Sequence, residues 1–161
     1  MISGSREVLI WDFCAAVLGR DAKTALAQLA ALLGQDESEI GILILLAGQV
    51  RMAALAAVLR ENRLLQVKGG PYASAVVAPE GAAYLPRKKS GEPISPYLLG
   101  QAAQRSQGRP ASFWFAALGT LYRAQREMLT GASDKRRALE LAVLEIVTDS
   151  PKARSPKLPQ L

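Results

Sequence analysis

The sequence contains no histidine and only one cysteine, Cys14, among its 161 residues. The missing histidine excludes histidine-based catalysis, histidine metal ligands and a histidine pH switch. One cysteine cannot form an internal disulfide, leaves a zinc site without enough ligands, and indicates a reducing compartment. Because no signal peptide opens the chain, the sequence predicts a cytoplasmic protein.

Aromatic residues are also scarce, at 6% of the sequence, whereas half of all residues are hydrophobic. A core built from Ala, Leu, Val and Ile is typical of helices packed on helices. No alternation of strands and helices supports a doubly wound sheet. The sequence therefore predicts an all-α domain over residues 7–148, a helical bundle of about six helices. Residues 1–6 are expected to be an unstructured start or an expression remnant, and residues 149–161 a disordered basic tail rich in proline.

One apolar stretch, Asp36 to Asn62, is expected to form the long central helix of this bundle. Asp36 and Glu39 have the spacing of a capping box, and arginines lie near the other end. A helix that is apolar on nearly every side must be surrounded by lipid or by other helices. Its uninterrupted apolar run is about ten residues, well short of the roughly 20 that cross a bilayer, so a core helix without membrane contact is predicted.

Glycine and proline interrupt the helical pattern between residues 64 and 94 and exclude a long helix there. This segment is expected to be a long irregular or hairpin-like excursion, with short strands at Tyr72–Ala78 and Ala82–Leu85. Near its end, three consecutive basic residues are expected to form a mobile tip: Arg87, Lys88 and Lys89.

No arrangement of residues predicts catalysis, a metal site, a cofactor site or a small-molecule substrate. Gly69-Gly70-Pro71 lacks the spacing and the Lys-Ser/Thr ending of a phosphate-binding loop. Cys14 lies on the apolar stripe of the first predicted helix and has no visible base partner. The carboxylates between Asp36 and Glu39 are explained by the start of a helix. The chain is therefore not expected to be an enzyme on its own.

A run of three aromatic residues favours a protein interface. Successive residues on a helix point about 100° apart, so the three cannot all face one core and at least one is expected at a surface. A protein interface is a better explanation for such a residue than base stacking. The candidate interface residues are Phe113, Trp114, Phe115, Tyr122 and Arg126.

The formal charge of +6 belongs to the second half of the chain and leaves nucleic-acid binding open as an alternative function. Solvated helix faces and pairing at helix ends account for many basic residues of this kind. The candidate nucleic-acid contacts are Arg87, Lys88, Lys89, Arg105 and Arg109.

A set of short motifs resembles the C-terminal collar domain of the delta subunit of bacterial DNA polymerase III, a part of the sliding-clamp loader. No motif is specific alone, but their order along residues 7 to 148 is that of the family. The motifs are Trp11-Asp12-Phe13, the segments from Arg20 to Leu26 and from Ile42 to Arg51, Pro96-Tyr97, Leu129-Thr130-Gly131, Asp134, and Ala138-Leu139-Glu140.

The resemblance implies a non-catalytic oligomerisation domain that acts in DNA replication by packing against other clamp-loader subunits. Leu129 and Gln125 depart from the family, which usually has a lysine and an acidic residue there, and the excursion is longer than usual. The family's ATPase-like N-terminal module has no room in 161 residues. A fragment or a stand-alone collar is therefore expected, and clamp opening and ATP use are not assigned to these residues.

Overall fold

The computed structural model describes residues 2–68 and 74–148, and the side chains from residue 7 onward. Most of these residues are helical, which confirms the predicted all-α bundle. The helices are α1 (Ile2–Leu18), α2 (Ala22–Gly34), α3 (Glu39–Glu61), α4 (Pro96–Arg105), α5 (Ala111–Thr130) and α6 (Lys135–Thr148). Helix α1 begins within the residues expected to be unstructured. The predicted tail lies outside the described residues.

Helix α3 is the centre of the bundle, as predicted, and packs against α1, α4, α5, α6 and the hairpin. By length and mean hydropathy, which is 2.2 over an 18-residue window, α3 could cross a membrane. The helix is more apolar than its uninterrupted run of about ten residues suggests, because alanines beyond the polar interruptions keep the window apolar. Of that window, 56% is buried inside the protein. A mostly buried helix of this kind is the core helix of a bundle.

Helix α3 begins later than the sequence predicts, and Asp36 does not cap it. Asp36 has a φ of 60°, in the left-handed region, and its N–H donates to the carbonyl oxygen of Leu33 over 3.2 Å. This geometry closes the end of α2 in the way a C-terminal glycine usually does. The predicted capping box is therefore wrong, because Asp36 already terminates the preceding helix. Ser38 caps α3 instead, and its Oγ accepts a hydrogen bond from the N–H of Gly41 over 3.1 Å.

The excursion at 64–94 contains an antiparallel hairpin of β1 (Leu65–Lys68) and β2 (Ser74–Val77). The predicted strand at Tyr72–Ala78 is confirmed for the part that β2 covers, whereas the predicted strand at Ala82–Leu85 is wrong. That region belongs to a 3-10 helix, Pro79–Tyr84, which begins with proline. Its Gly81 is buried so closely that a Cβ there would lie 2.9 Å from Val77. The excursion is thus folded onto α3 and α4 around a second, smaller core.

Two hydrogen bonds hold α3 and α5 together as an antiparallel pair. At the end of α3, Glu61 Oε1 accepts from the N–H of Ala111, the first residue of α5, over 2.8 Å. Near the middle of both helices, Arg51 Nε donates to the hydroxyl of Tyr122 over 2.8 Å. The interruption at Arg51 therefore links α3 to α5, and the two bonds are consistent with one antiparallel register of the packed helices.

Candidate assembly interface

The three aromatic residues at the start of α5 point in three directions, as their 100° spacing requires. Trp114 is fully buried in the main core, and its Nε1 has no acceptor among the described residues. Phe115 is 55% exposed. The prediction that at least one of the three lies at the surface is confirmed. The choice of Trp114 as an interface residue is wrong, because the core of the bundle encloses its whole side chain.

Phe113 is half-buried and holds several elements together at one end of the bundle. Its ring meets that of Trp114 edge to face, with the centroids 4.9 Å apart. The guanidinium groups of Arg20 and Arg109 each lie 5.3 Å from its centroid, and Arg20 Nε also donates to the carbonyl oxygen of Ile146. Contacts of this kind stabilise by about 0.5–1 kcal/mol each. Phe113 thus serves the fold and offers little free surface to a partner.

A row of outward-facing residues runs along almost the whole of α5. Its members are separated by four, three, four and three residues, so they share one face of the helix. The row consists of Phe115, Gly119, Tyr122, Arg126 and Leu129. All five are exposed, and Leu129 is the most exposed apolar residue of the row, at 66%. Phe115, Tyr122 and Arg126, three of the five predicted interface residues, therefore lie on one exposed surface.

Helix α3 contributes a second row next to the first. Ile44 and Leu45 are 52% and 41% exposed, whereas ten of the 23 residues of α3 are buried. Ile44, Gly48 and Arg51 are separated by four and three residues and lie on one side of the helix. The sequence could not identify these exposed residues, because a helix that is apolar all round has no visible polar side.

The bond between Arg51 and Tyr122 joins these two rows into one surface. In an antiparallel pair, two further turns toward the start of α3 correspond to two further turns toward the end of α5. Ile44 therefore lies level with Leu129. We call this surface the α3–α5 face. Its residues are Ile44, Leu45, Gly48, Arg51, Phe115, Gly119, Tyr122, Arg126 and Leu129.

The structure does not gather the five candidate nucleic-acid contacts into one patch. Arg87 pairs with Pro93 shortly before α4 begins, whereas Arg105 is the last residue of α4 and Arg109 follows it. Helix α4 is about 15 Å long, and Arg105 and Arg109 lie at its far end from Pro93. The basic tip itself forms a hydrogen-bonded turn, in which the N–H of Lys88 donates to the carbonyl oxygen of Glu92 over 2.7 Å.

The described residues offer no set of reactive groups. They contain no group of three or more His, Cys, Asp or Glu side chains that could hold a metal ion. Cys14 is buried, and burial raises the pKa of its thiol to about 12. A protonated, enclosed thiol is a poor nucleophile. An open groove of about 400 Å³ lies between α2 and α6, and Leu141 and Leu144 are among its mainly apolar lining residues.

No protein-family model matches the sequence, and a search of curated proteins finds no match. A search of solved structures matches the Bacillus subtilis DNA clamp loader delta protein (YqeN) with a TM-score of 0.64 at 20% sequence identity. The match covers 88% of this chain and 36% of that chain, so this chain spans little more than a third of that protein's length. At this identity the likeness concerns the fold. The chain shares the fold of the corresponding part of a DNA clamp loader delta protein, which confirms the resemblance found in the sequence.

Proposed function

We propose that this chain is a non-catalytic oligomerisation domain, the collar domain of a DNA polymerase III clamp-loader delta subunit. It acts in cytoplasmic DNA replication by packing against other clamp-loader subunits. The observation that carries the proposal is the fold shared with a clamp loader delta protein over 88% of the chain. The exposed apolar side chains of the α3–α5 face support it, because large exposed apolar surfaces are typical of protein interaction sites.

Assembly through such a face rests on burial of apolar surface, with charged residues setting the choice of partner. Phe115 and Tyr122 supply the aromatic groups that contribute most at interfaces. Arg126 lies between Tyr122 and Leu129 and favours a partner with negative charge. Phe113 and Trp114 contribute indirectly, by holding α5 in place.

Co-elution of the chain with the cognate clamp-loader subunits tests the proposal. We expect a complex in size-exclusion chromatography at about 10 µM, within the range of weak specific complexes. Phe115→Asp should weaken it, because the substitution places a charge in the apolar interface. Tyr84→Asp is the matched control, since Tyr84 is an exposed aromatic residue of the excursion. Failure of every loader subunit to co-elute would refute the proposed function.

The alternative function is nucleic-acid binding, and the exposed basic turn favours it. Arg87 donates to the carbonyl oxygen of Gly91 over 2.9 Å, and the three consecutive basic side chains are exposed. Replacing all three by alanine should weaken DNA binding and lower its dependence on salt, since each phosphate contact contributes about one unit to that slope. A gel with no shifted DNA at low salt would dismiss this alternative.

A further inference from the structure

We propose that the α3–α5 face receives one helix of a partner subunit, which carries carboxylates beside an apolar stripe and passes closest over Gly119 and Gly48. This inference rests on the proposed function and names the kind of partner element. Four observations support it. They are the spacing of the exposed residues on α5, the packing of the hairpin and α4 over the continuation of the α3 row, the positive charge of the face, and the two glycines.

The spacing of the exposed row on α5 matches a helical partner. Steps of four and three residues are those of the contact positions in a coiled coil. From Phe115 to Leu129 the row is about 20 Å long, enough for a partner helix of four turns. The neighbouring row on α3 runs antiparallel to it, so the two helices form a shallow groove between them. A helix that lies in such a groove is a common mode of recognition.

Toward the C-terminal end of α3, the hairpin and α4 cover the side of the helix that is exposed near its start. The row of Ile44, Gly48 and Arg51 continues with Leu55, which is half-buried. Leu55 packs against the second core cluster, to which the hairpin and α4 contribute. The same row is thus covered by packed secondary structure at one end and uncovered at the other. A partner helix would continue this covering along the exposed part.

The charges on the α3–α5 face have one sign. Arg51 and Arg126 are both exposed, and none of the nine residues of the face is acidic. Arginine at an interface favours a carboxylate partner, which it can bind with two parallel hydrogen bonds. A partner helix with Asp or Glu beside its apolar stripe therefore fits this face. A basic helix or a purely apolar peptide does not, because neither carries an anionic group that can pair with the two arginines.

Gly119 and Gly48 indicate where the partner comes closest. A Cβ built at either position meets no other atom within 4 Å, so packing within the domain does not require glycine there. Glycine inside a helix destabilises the fold by about 1 kcal/mol relative to alanine. Gly119 is exposed and Gly48 is partly exposed, and both lie on the α3–α5 face among larger residues. They leave two hollows into which a partner helix can pack with its backbone close to this one.

Titration of the chain with each cognate clamp-loader subunit by isothermal calorimetry tests the inference. We expect Gly119→Trp and Arg126→Glu each to weaken binding by at least about tenfold. The control is Leu141→Arg, because Leu141 is 53% exposed on α6, outside the α3–α5 face. The control should bind like the unchanged chain, and circular dichroism should show the same helix content for all variants.

Each outcome decides the inference. Loss of binding in the two face variants with an unaffected control supports it. Binding that survives both face variants, or is lost only in Leu141→Arg, overturns the inference and leaves the proposed function standing. No binding by the unchanged chain overturns both. The unchanged chain could also self-associate, and the face variants could abolish this self-association. That result overturns the inference, because a second copy of the chain would then occupy the face.

Discussion

Replacing Gly119 by alanine should stabilise the isolated chain and weaken its complex. The new Cβ meets no atom within 4 Å, so no steric cost opposes the higher helix propensity of alanine. We expect a gain of about 1 kcal/mol in the free energy of unfolding. For a domain of about 150 residues this corresponds to a rise in Tm of about 2–4 °C.

In the complex the same methyl group would enter the contact with the partner helix. Overpacking at a close contact costs about 1–3 kcal/mol, which corresponds to a loss of affinity on the order of tenfold. Differential scanning calorimetry of the free chain and isothermal calorimetry with the bound subunit measure the two effects separately. A higher Tm of the free chain together with a weaker affinity for the subunit would indicate that the partner helix packs closely over Gly119.

Gly34→Ala is the matched control for this experiment. Gly34 is the last residue of α2, and a Cβ there also meets nothing within 4 Å. It lies outside the α3–α5 face, so its substitution should leave the affinity unchanged. If Gly119→Ala raises the Tm and leaves the affinity unchanged, the partner does not pack closely over this residue. If it lowers the Tm, the position is not open in the folded chain, and packing within the domain requires glycine there.

Three further predictions concern the fold. Trp114→Ala should destabilise the chain by about 3–5 kcal/mol and Phe115→Ala by less than about 0.5 kcal/mol, as chemical denaturation would show; similar losses would contradict the burial difference. Cys14, with its pKa raised to about 12 from 9.0, should resist alkylation at pH 8 until the chain unfolds, and the stability it contributes should decrease between pH 9 and pH 12, where only the unfolded thiol ionises. Ser38→Ala should lower the free energy of unfolding by about 1 kcal/mol. Asp36→Gly should raise it, because glycine adopts the left-handed conformation without strain. A lower free energy of unfolding for Asp36→Gly would instead support Asp36 as a cap of α3.

Hydrophobic spacing identified the helices well, because each one buries a stripe that repeats along the sequence. The caps lie at the helix starts: Asp21 caps α2, Ser95 caps α4 and Asp134 caps α6. The errors occurred where a residue had two possible roles. Asp36 could start one helix or end another, and hydrogen bonds to the preceding turn decided the second.

The candidate interface was less predictable than the fold. Helical spacing showed that Phe113, Trp114 and Phe115 point apart, but it could not show which of them faces the core. That depends on the direction from which α3 and α6 pack against α5. For the same reason the spacing along α5 does not show that Leu129 is exposed.

The sequence by itself determined the all-α class, the position of the excursion and the central place of α3, because composition and periodicity act locally along the chain. It also carried the ordered motifs that resemble a clamp-loader delta subunit. Only the tertiary structure decided that Trp114 is core and Phe115 is surface, and that rows from α3 and α5 adjoin at Arg51 and Tyr122. A surface shared by two helices is set by how they pack, and a periodic pattern within one helix contains no information about its neighbour.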